Sequence, residues 1–341
     1  MTSAPFESFA QNAEDVVLWR ALGAVPAGRY IDVGANDPVV DSITWAFYLR
    51  GWRGITAEPV ASLAAAHRSA RPEDVQVEAV IADLDSTQVV LHEIDGTGLS
   101  TISDDIALRH RVSGWTVEDH AVPVRRLDDV LAGAGWDDGR DIHLLNVDTE
   151  GAELTVLQSL DLKRYRPWVL VIEATAPNSA EQSHLQWEHL LLEADYTFCL
   201  FDGLSRFYVA SEHADDLAGP LSYPACALDA FTSLPERRRT EELTGVRGEL
   251  EAARAELHAV RQELGRAQSR VEELLREAVR WRTAALSRWS AALGGADSVS
   301  ANSELGVLRN EVAAMRRTVS WRVTRPLRAV RSRAGVLRAY R

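Results

Sequence analysis

The residues best suited to chemistry are acids that directly follow short apolar segments. Asp32, Glu58 and Asp83 end three successive segments of this kind in the first part of the chain. Because ligands of a parallel sheet bind beyond the carboxyl ends of its strands, these acids are expected around a single ligand. Asp32 would lie beneath that ligand. Glu58 would accept hydrogen bonds from both hydroxyls of a ribose, and Asp83 would accept one from an adenine amino group.

The turn after Asp32 favours one class of ligand. It carries a single glycine, Gly34, where a dinucleotide-binding turn has three, because residues 36 and 39 are Asn and Val. A turn with one glycine and nearby acids suits a cationic ligand without phosphates, such as S-adenosylmethionine. An NAD enzyme would share the ribose-binding acid, so a nicotinamide-dependent sugar oxidoreductase is the alternative. The missing glycines count against it.

A second group of acids follows two later apolar segments. Asp148, Glu150 and Glu153 surround the start of a predicted helix, and Glu173 ends the next apolar segment. Carboxylates that converge at the sheet edge either bind a hard cation such as Mg²⁺ or take the proton of a substrate hydroxyl as a general base. Glu153 is also typical of a helix start, where an acid satisfies free backbone N–H groups. His184 is a further candidate base, although a lone histidine is more often structural or exposed.

Alternating strand and helix patterns predict the scaffold that positions these acids. Strands are expected at 30–34, 54–58, 75–81, 142–147, 168–172, 196–202 and 206–210, with helices at 41–50, 60–69, 151–160 and 183–194. This alternation predicts an α/β fold with a mostly parallel sheet. The short link between the last two strands predicts a terminal antiparallel hairpin at or near the sheet edge. Residues 84–130 are less regular and suit an insertion over the carboxyl edge of the sheet.

Nine segments of the chain, in order, carry the pattern of one known family. They lie at 8–15, 30–38 (Tyr-Ile-Asp-Val-Gly-Ala-Asn-Asp-Pro), 51–54, 58–59, 99–101, 147–153 (Val-Asp-Thr-Glu-Gly-Ala-Glu), 160–162, 166–168 and 201–209. Together they resemble FkbM-type methyltransferases, and the last segment resembles a branch found beside bacterial polysaccharide genes. The resemblance covers about residues 6–233. It implies a Rossmann-like fold that moves a methyl group from S-adenosylmethionine to a hydroxyl, often on a sugar.

The resemblance also implies roles for individual residues. Those that would hold the cofactor are Asp32, Gly34, Asn36, Glu58 and Asp83, and those at the reacting centre are Asp148, Glu150 and Glu173. Thr149 and Asn146 depart from the family, which more often has an aliphatic residue at the first position and commonly Lys or Ser at the second. Neither change removes a carboxylate. Family members differ in their use of metal, so Mg²⁺ stays open.

These observations lead to one hypothesis with two rivals. The hypothesis is an S-adenosylmethionine-dependent O-methyltransferase that acts on a hydroxyl of a sugar in a glycan, a glycolipid or a glycosylated metabolite. One rival is the oxidoreductase named above. The other is an inactive scaffold of a polysaccharide-assembly complex, whose helices recruit partners. The retained acids count against the scaffold, because it would need none of them.

From Glu241 onwards the pattern changes to that of a coiled coil. One apolar series recurs every seven residues and a second follows three residues later: Leu243, Leu250, Leu257, Leu264, Val271 and Ala278, then Val246, Ala253, Val260, Ala267, Leu274 and Trp281. The two series predict a helix at 236–293 that forms a homo-oligomer or a complex with a partner's helix. A single amphipathic helix packed on the methyltransferase domain at 1–235 is the alternative.

The C-terminal segment differs from the rest in charge. After a linker at 294–303, a basic amphipathic helix is expected at 304–341. Residues 305–341 carry a net charge of +9, whereas the rest of the chain carries −22. With Trp321 and Leu327, this segment suits the surface of an anionic membrane, and a disordered cationic tail is the alternative. The acidic body argues against a nucleic-acid partner.

Composition suggests a cytoplasmic protein. No stretch approaches the roughly 20 apolar residues that a transmembrane helix needs. The first residues lack the basic and apolar regions of a secretory signal. Cys199 and Cys226 are the only cysteines, so no disulfide framework is expected. The hypothesis is therefore a cytoplasmic enzyme that its basic tail can hold at the inner face of the plasma membrane.

Overall fold

The computed structural model describes residues 5–94, 96–294, 298–319 and 321. The chain divides into two units, residues 1–243 and residues 244–341. The strands are β1 (Phe6–Ser8), β2 (Arg29–Val33), β3 (Arg53–Ala57), β4 (Val75–Val77), β5 (Val80–Ile81), β6 (Gln88–Glu93), β7 (Glu118–Arg125), β8 (Leu144–Val147), β9 (Val169–Glu173), β10 (Tyr196–Phe201), β11 (Ser205–Ala210) and β12 (Phe231–Ser233). The α-helices are α1 (Glu14–Leu22), α2 (Trp45–Tyr48), α3 (Ala61–Ala70), α4 (Asp104–Val112), α5 (Leu127–Gly133), α6 (Glu153–Gln158), α7 (Glu188–Glu193), α8 (Ala214–Leu221), α9 (Leu234–Gly294) and α10 (Ser298–Arg317).

The first unit is built on a seven-stranded sheet with the order β10-β11-β9-β8-β2-β3-β4. The strands from β9 to β4 are parallel, whereas β11 is antiparallel to both of its neighbours. The Rossmann-like α/β fold and its terminal hairpin are therefore confirmed, with β11 one strand in from the edge. The strand order reverses between β2 and β8, and ligands of open α/β sheets bind beyond the carboxyl ends of the strands at such a point.

Helices cover both faces of this sheet. Leu145 packs in one apolar cluster with α5, α6 and α7, and its neighbour Leu144 packs in another with α1, α2 and α8. Every residue of β2, β8 and β9 is buried. A strand that is covered on both faces can be apolar on both faces, which is why these segments form nearly continuous apolar runs in the sequence.

The chain leaves the main sheet after Val77, within the segment that the sequence predicts as one strand. β4 ends there, and β5 pairs with β7, which also pairs with β6. The predicted insertion at 84–130 thus contributes β6, β7 and helix α4, and its two strands form a small three-stranded sheet with β5. Its apolar cluster includes Val60 from the loop after β3, so the small sheet packs beside the carboxyl edge of the main sheet.

The helix predicted at 41–50 is only one turn long. The hydroxyls of Ser42 and Thr44 accept hydrogen bonds from Arg71, and these bonds hold the residues before α2 in a loop. Helix α1 and the parallel pair of β1 and β12 were not anticipated from the sequence.

The second unit contains the remainder of α9 together with α10. Helix α9 continues without a break to Gly294, as the heptad pattern predicts. Helix α10 begins at Ser298, inside the segment expected to be a linker at 294–303. Most of the predicted basic tail, residues 322–341 with Leu327, lies outside the described residues. None of the described helices combines the length and the hydropathy needed to span a membrane.

Candidate active site

A cleft opens at the carboxyl edge of the parallel sheet, where the strand order reverses. Its walls come from the turn after β2, the loops after β3 and β8, and residues 97–102 of the insertion. It holds about 610 Å³ of free space, part of it open to solvent. A cleft in this position is where an open α/β sheet binds its ligand.

Glu58 joins two of the loops that form the cleft. One of its carboxylate oxygens accepts a hydrogen bond from the Asn36 N–H (2.9 Å) and the other accepts one from the Val60 N–H (2.8 Å). Only 5% of Glu58 is exposed, and burial raises its pKa to about 7. Glu58, Asn36 and Gly34 all line the cleft, so three of the five residues predicted to hold the cofactor lie beside it.

Gly34 is required by the fold as well as by its place in the cleft. Its φ is +80°, and a Cβ atom at this position would come within 1.7 Å of the Asp148 carbonyl oxygen. The Asp148 N–H donates to the Val33 carbonyl (3.0 Å). The end of β2 therefore touches the start of the loop after β8, and the glycine sets the distance between the two halves of the site.

Asp32 lies below the cleft and is not part of its lining. It is 2% exposed, and its carboxylate accepts hydrogen bonds from the Thr44 hydroxyl and from Asn146 Nδ2 (2.9 Å). These bonds tie the loop after β2 to β8, so the structure makes Asp32 a positioning residue. They also give a role to Asn146, one of the two departures from the family pattern, because its amide donates to this buried acid.

Asp83 lies outside the cleft, although the sequence predicted that it would contact an adenine there. Its carboxylate pairs with Arg126, and about half (47%) of its side chain is exposed. The cause is the break after β4: Asp83 follows β5 into the small sheet, so it does not end a strand of the main sheet. Val80 and Ile81 line the cleft from this segment.

Three of the predicted carboxylates meet at the ends of β8 and β9. One oxygen from each of Asp148, Glu150 and Glu173 lies within 4.8 Å of the others. Carboxylates this close repel each other when all of them are ionised, so at least one of the three is favoured in its protonated form. Burial and the neighbouring Asp148 raise the pKa of Glu173 far above its usual range, so Glu173 is the acid of this group that holds a proton most readily.

The other two acids of this cluster are also harder to ionise than usual. Burial raises the pKa of Asp148 to about 6. Burial and the nearby Asp148 raise the pKa of Glu150 to about 8. At neutral pH Asp148 is mostly ionised, yet it is a stronger base than an ordinary aspartate. These are the properties of a general base.

Glu153 holds the loop that carries Asp148 and Glu150. Its buried carboxylate accepts hydrogen bonds from the Thr149 N–H (3.3 Å), the Thr149 hydroxyl (3.1 Å) and the Gly151 N–H (3.0 Å). Glu150 has a φ of +50°, which residues other than glycine seldom adopt. Glu153 thus acts as the helix-start acid that the sequence allowed. Thr149 contributes a hydroxyl that the aliphatic residue common in the family would lack.

His184 does not line the cleft. It pairs with Glu188 (Nε2 to Oε2, 3.8 Å), which also accepts hydrogen bonds from Arg206 and Tyr208, both at 2.8 Å. Burial and the positive charge of Arg206 lower the pKa of His184. These surroundings are those of a structural histidine, and Asp148 is the better candidate for the base.

Sequence reasoning missed several contacts between distant parts of the chain. The Thr101 hydroxyl of the insertion donates to the Glu150 carbonyl (2.9 Å). Asn12 Nδ2 donates to the Asp202 carbonyl (3.3 Å), and burial together with Asp202 raises the pKa of Glu14 to about 8. All of these residues lie in segments that carry the family pattern, so the resemblance was the signal that could have pointed to them. Their partners, 49 and 190 residues away, could not be identified without the fold.

Comparison with known proteins identifies a family for the part of the chain that forms this cleft. A family model described as "Methyltransferase FkbM domain" matches residues 32–198. This chain carries an FkbM methyltransferase domain. The FkbM match begins in β2 and ends in β10, so it contains both halves of the cleft and the three clustered acids. Helix α9 lies outside it.

A search of solved structures returns the crystal structure of a TehB-like SAM-dependent methyltransferase from Corynebacterium glutamicum ATCC 13032. It is 11% identical in sequence, with a TM-score of 0.31, and the alignment covers 58% of this chain and 87% of that chain. A search of curated proteins finds no match to this chain.

The FkbM domain implies S-adenosylmethionine as the methyl donor, and the residues of the cleft fit this cofactor. The carboxylate of Glu58 can accept hydrogen bonds from the ribose hydroxyls of a nucleoside. Leu63, Val80 and Leu91 add an apolar wall that a purine ring can contact. Polar groups on one side and apolar surface on the other are what a site for a nucleoside requires.

Proposed function

We propose that the FkbM domain transfers the methyl group of S-adenosylmethionine to a hydroxyl oxygen of a sugar, within a glycan, a glycolipid or a glycosylated metabolite. The observation that carries this proposal is the pair of Asp148 and Glu173, whose carboxylate oxygens lie within 4.8 Å of each other at the ends of β8 and β9. A hydroxyl group loses its proton when its oxygen is methylated. The pair offers a carboxylate that can accept this proton.

The residues on the two sides of the cleft have separate tasks. Asn36 and Glu58 would hold the nucleoside part of the cofactor with their polar groups. S-adenosylmethionine, when bound, supplies a methyl group activated by its attachment to positively charged sulfur. Asp148 would accept the proton of the acceptor hydroxyl, while Glu173 keeps its own proton and orients Asp148. Alignment of an acceptor oxygen can lower a barrier by about 7 kcal/mol or more.

Glu150 supports a sugar as the acceptor. Its Oε2 atom is buried and has no hydrogen-bond partner among the described residues, although Glu150 lines the cleft. A buried polar atom without a partner is unfavourable, and a donor on the acceptor would remove that cost. A sugar presents several hydroxyls at once, so one can donate to Glu150 while another faces Asp148.

Mg²⁺ remains a prediction for the same three acids. Asp148, Glu150 and Glu173 offer oxygens at distances that a hard cation can bridge. A proton on Glu173, which its raised pKa favours, would reduce the same repulsion between carboxylates that a cation would reduce. Turnover measured with added Mg²⁺ and with a chelator decides between a proton and a cation at these acids, because only a metal-dependent reaction stops in the chelator.

The two rival functions are less well supported. The match to a methyltransferase family favours methyl transfer over a nicotinamide-dependent oxidoreductase. An inactive scaffold needs neither three acids with oxygens within 4.8 Å of one another nor an unpartnered acid oxygen in an open cleft. Both features are unfavourable for stability, so their presence supports an active enzyme.

We also propose that the enzyme works in the cytoplasm and that residues 304–341 attach it to the inner face of the membrane. The support is the net charge of +9 in residues 305–341, together with Trp321. Each basic residue near an anionic surface contributes about 1 kcal/mol. Flotation with anionic liposomes compares the full chain with one that ends at residue 303. Equal binding by both would rule out the tail as the anchor.

Transfer of a labelled methyl group tests the proposed reaction. The purified protein is incubated with methyl-labelled S-adenosylmethionine and a cell-envelope glycan extract, and the hydrolysed sugars are analysed by mass spectrometry. We expect label in an O-methyl sugar, for the native chain and equally for Asp216→Asn, which changes an exposed acid outside the cleft. Label on an amine, or no transfer to any component of the extract, would contradict the proposal.

A further inference from the structure

Helix α9 exposes a row of large apolar side chains. We call this row the α9 seam, with Leu250, Leu257, Leu264 and Val271 at heptad positions a, and Ala253, Val260, Ala267 and Leu274 at positions d. Leu257, Val260 and Leu264 are 50%, 55% and 56% exposed. A continuous apolar row with heptad spacing is a surface for another helix.

The charges beside the α9 seam are separated by sign. Between residues 242 and 263, positions g hold Glu242, Glu249, Glu256 and Glu263, and positions e hold Arg247, Arg254 and Arg261. The pattern ends there, because the next g position is Arg270 and the next e positions are Gln268 and Leu275. The two rows flank the seam on opposite sides of one helix. Residues pair along a helix when they are three or four positions apart on one face, so these two rows cannot pair with each other on the same helix. They are placed to pair with a second helix.

The charge pattern also determines the direction of that second helix. In a parallel pair in register, position g of one helix lies next to position e of the following heptad on the other helix. Glu249 then meets Arg254 and Glu256 meets Arg261, and symmetry repeats each pair on the other side. In an antiparallel pair, g lies next to g and e next to e. Glutamates would then face glutamates, and arginines would face arginines.

We propose that α9 forms a parallel, in-register, two-stranded coiled coil with α9 of a second copy of this chain. A second copy fits because each charged row has its complement on the same sequence. Two strands fit because the large apolar side chains of residues 250–267 occur only at positions a and d, with charged or polar residues at e and g. Larger bundles also cover positions e and g, which would bury these charges.

Cysteine cross-linking of the full-length chain tests the direction and the register. In the proposed dimer the two copies of residue 250 face each other at position a, so Leu250→Cys is expected to form a disulfide-linked dimer in most of the protein under mild oxidation. Glu251→Cys, one position away on the outer face, is the matched control and should not cross-link. The unmodified chain, with Cys199 and Cys226, gives the background. Failure of Leu250→Cys to cross-link would overturn the proposal.

Charge exchange tests the partner. Glu249→Arg/Glu256→Arg leaves arginines in both rows, and Arg254→Glu/Arg261→Glu leaves glutamates in both rows. Each variant alone is expected to raise the dimer Kd at least tenfold, measured by light scattering and sedimentation. A mixture of the two variants should dimerise as the native chain does, because opposite charges meet again. Recovery in the mixture also shows that both variants fold.

The control for these variants is Glu251→Arg/Glu272→Arg, which makes the same two changes at position b, away from the seam. It should dimerise like the native chain. A native chain with the mass of one copy, or of three or four copies, would overturn the proposal. Unchanged dimerisation of both charge-exchange variants would overturn it as well.

Discussion

The methyltransferase domain buries carboxylates, whereas helix α9 exposes leucines. Glu58, Glu153 and Glu173 are 5%, 4% and 7% exposed, while Leu257 and Leu264 are 50% and 56% exposed. Acids are rarely buried unless they are paired or bonded, and large apolar side chains are seldom left uncovered in a continuous row. The buried acids and the exposed leucines are both exceptions to the usual burial pattern, and they have different meanings. Buried acids around an open cleft indicate chemistry on a small ligand, and an exposed apolar row with ordered charges indicates another chain.

The largest expected effect concerns the buried acids. Asp148→Asn is expected to lower kcat by about 10²–10⁴-fold, because a general base of this kind contributes about that much. The cofactor Kd, measured by calorimetry, should change less than about threefold. Glu173→Gln keeps a hydrogen-bond donor toward Asp148 and should lose less activity than Asp148→Asn. Native turnover in Asp148→Asn would place the reacting centre elsewhere.

The next effect compares a buried leucine with an exposed one. Leu18 in α1 is fully buried, so Leu18→Ala is expected to lower the free energy of unfolding of the domain by about 2–5 kcal/mol. Leu257→Ala should leave domain stability within about 0.5 kcal/mol and weaken self-association instead. Denaturant unfolding and light scattering measure the two quantities. If Leu257→Ala destabilised the domain as Leu18→Ala does, α9 would be a helix packed on the domain, the alternative that the sequence allowed.

The buried Glu14 predicts how stability depends on pH. Its pKa is raised from 4.5 to about 8, so the folded state binds the proton more tightly than the unfolded state. Its contribution is therefore fully present below about pH 4.5 and is lost as the pH rises toward 8. Glu14→Gln imitates the protonated form and should be more stable than the native chain at pH 8, with little difference at pH 4.5.

The size of this effect follows from the shift, since each pKa unit corresponds to about 1.4 kcal/mol. Melting temperatures at several pH values measure it. The matched control is Glu181→Gln, which changes an exposed acid and should leave the pH dependence unaltered. An identical pH profile for Glu14→Gln and the native chain would show that Glu14 is ionised in the folded protein.

The smallest expected effect distinguishes Glu58 from Asp83, the two acids that the sequence alone predicts to bind the cofactor in the same way. Glu58→Gln should weaken binding of S-adenosylmethionine about tenfold, because the amide nitrogen cannot accept the hydrogen bond from Asn36 or Val60 that a carboxylate oxygen accepts. Asp83→Asn should leave the Kd within about threefold, since Asp83 pairs with Arg126 outside the cleft. Calorimetric titration gives both values. Equal weakening by the two variants would restore Asp83 to the cofactor site.

The sequence by itself determined the elements and the class of the site. Apolar runs encode strands buried on both faces, and heptads encode a long helix, because both patterns depend only on which neighbouring residues face a core or a partner. The acids at the strand ends pointed to the carboxyl edge of the sheet. The charged rows beside the α9 seam can also be derived from heptad spacing alone, since a helix fixes the position of each residue around its axis.

Only the tertiary structure decided which of these acids meet. Asp83 is separated from the others because the chain changes sheets after Val77, and a periodic apolar pattern is the same in either sheet. The meeting of Asp148 and Glu173 likewise depends on how the ends of two different strands are brought together. Contacts between distant residues arise from where the chain turns, and single residues with unusual backbone angles, such as Glu150, set those turns. Local sequence therefore specifies the elements, whereas the site is specified by how their ends are joined.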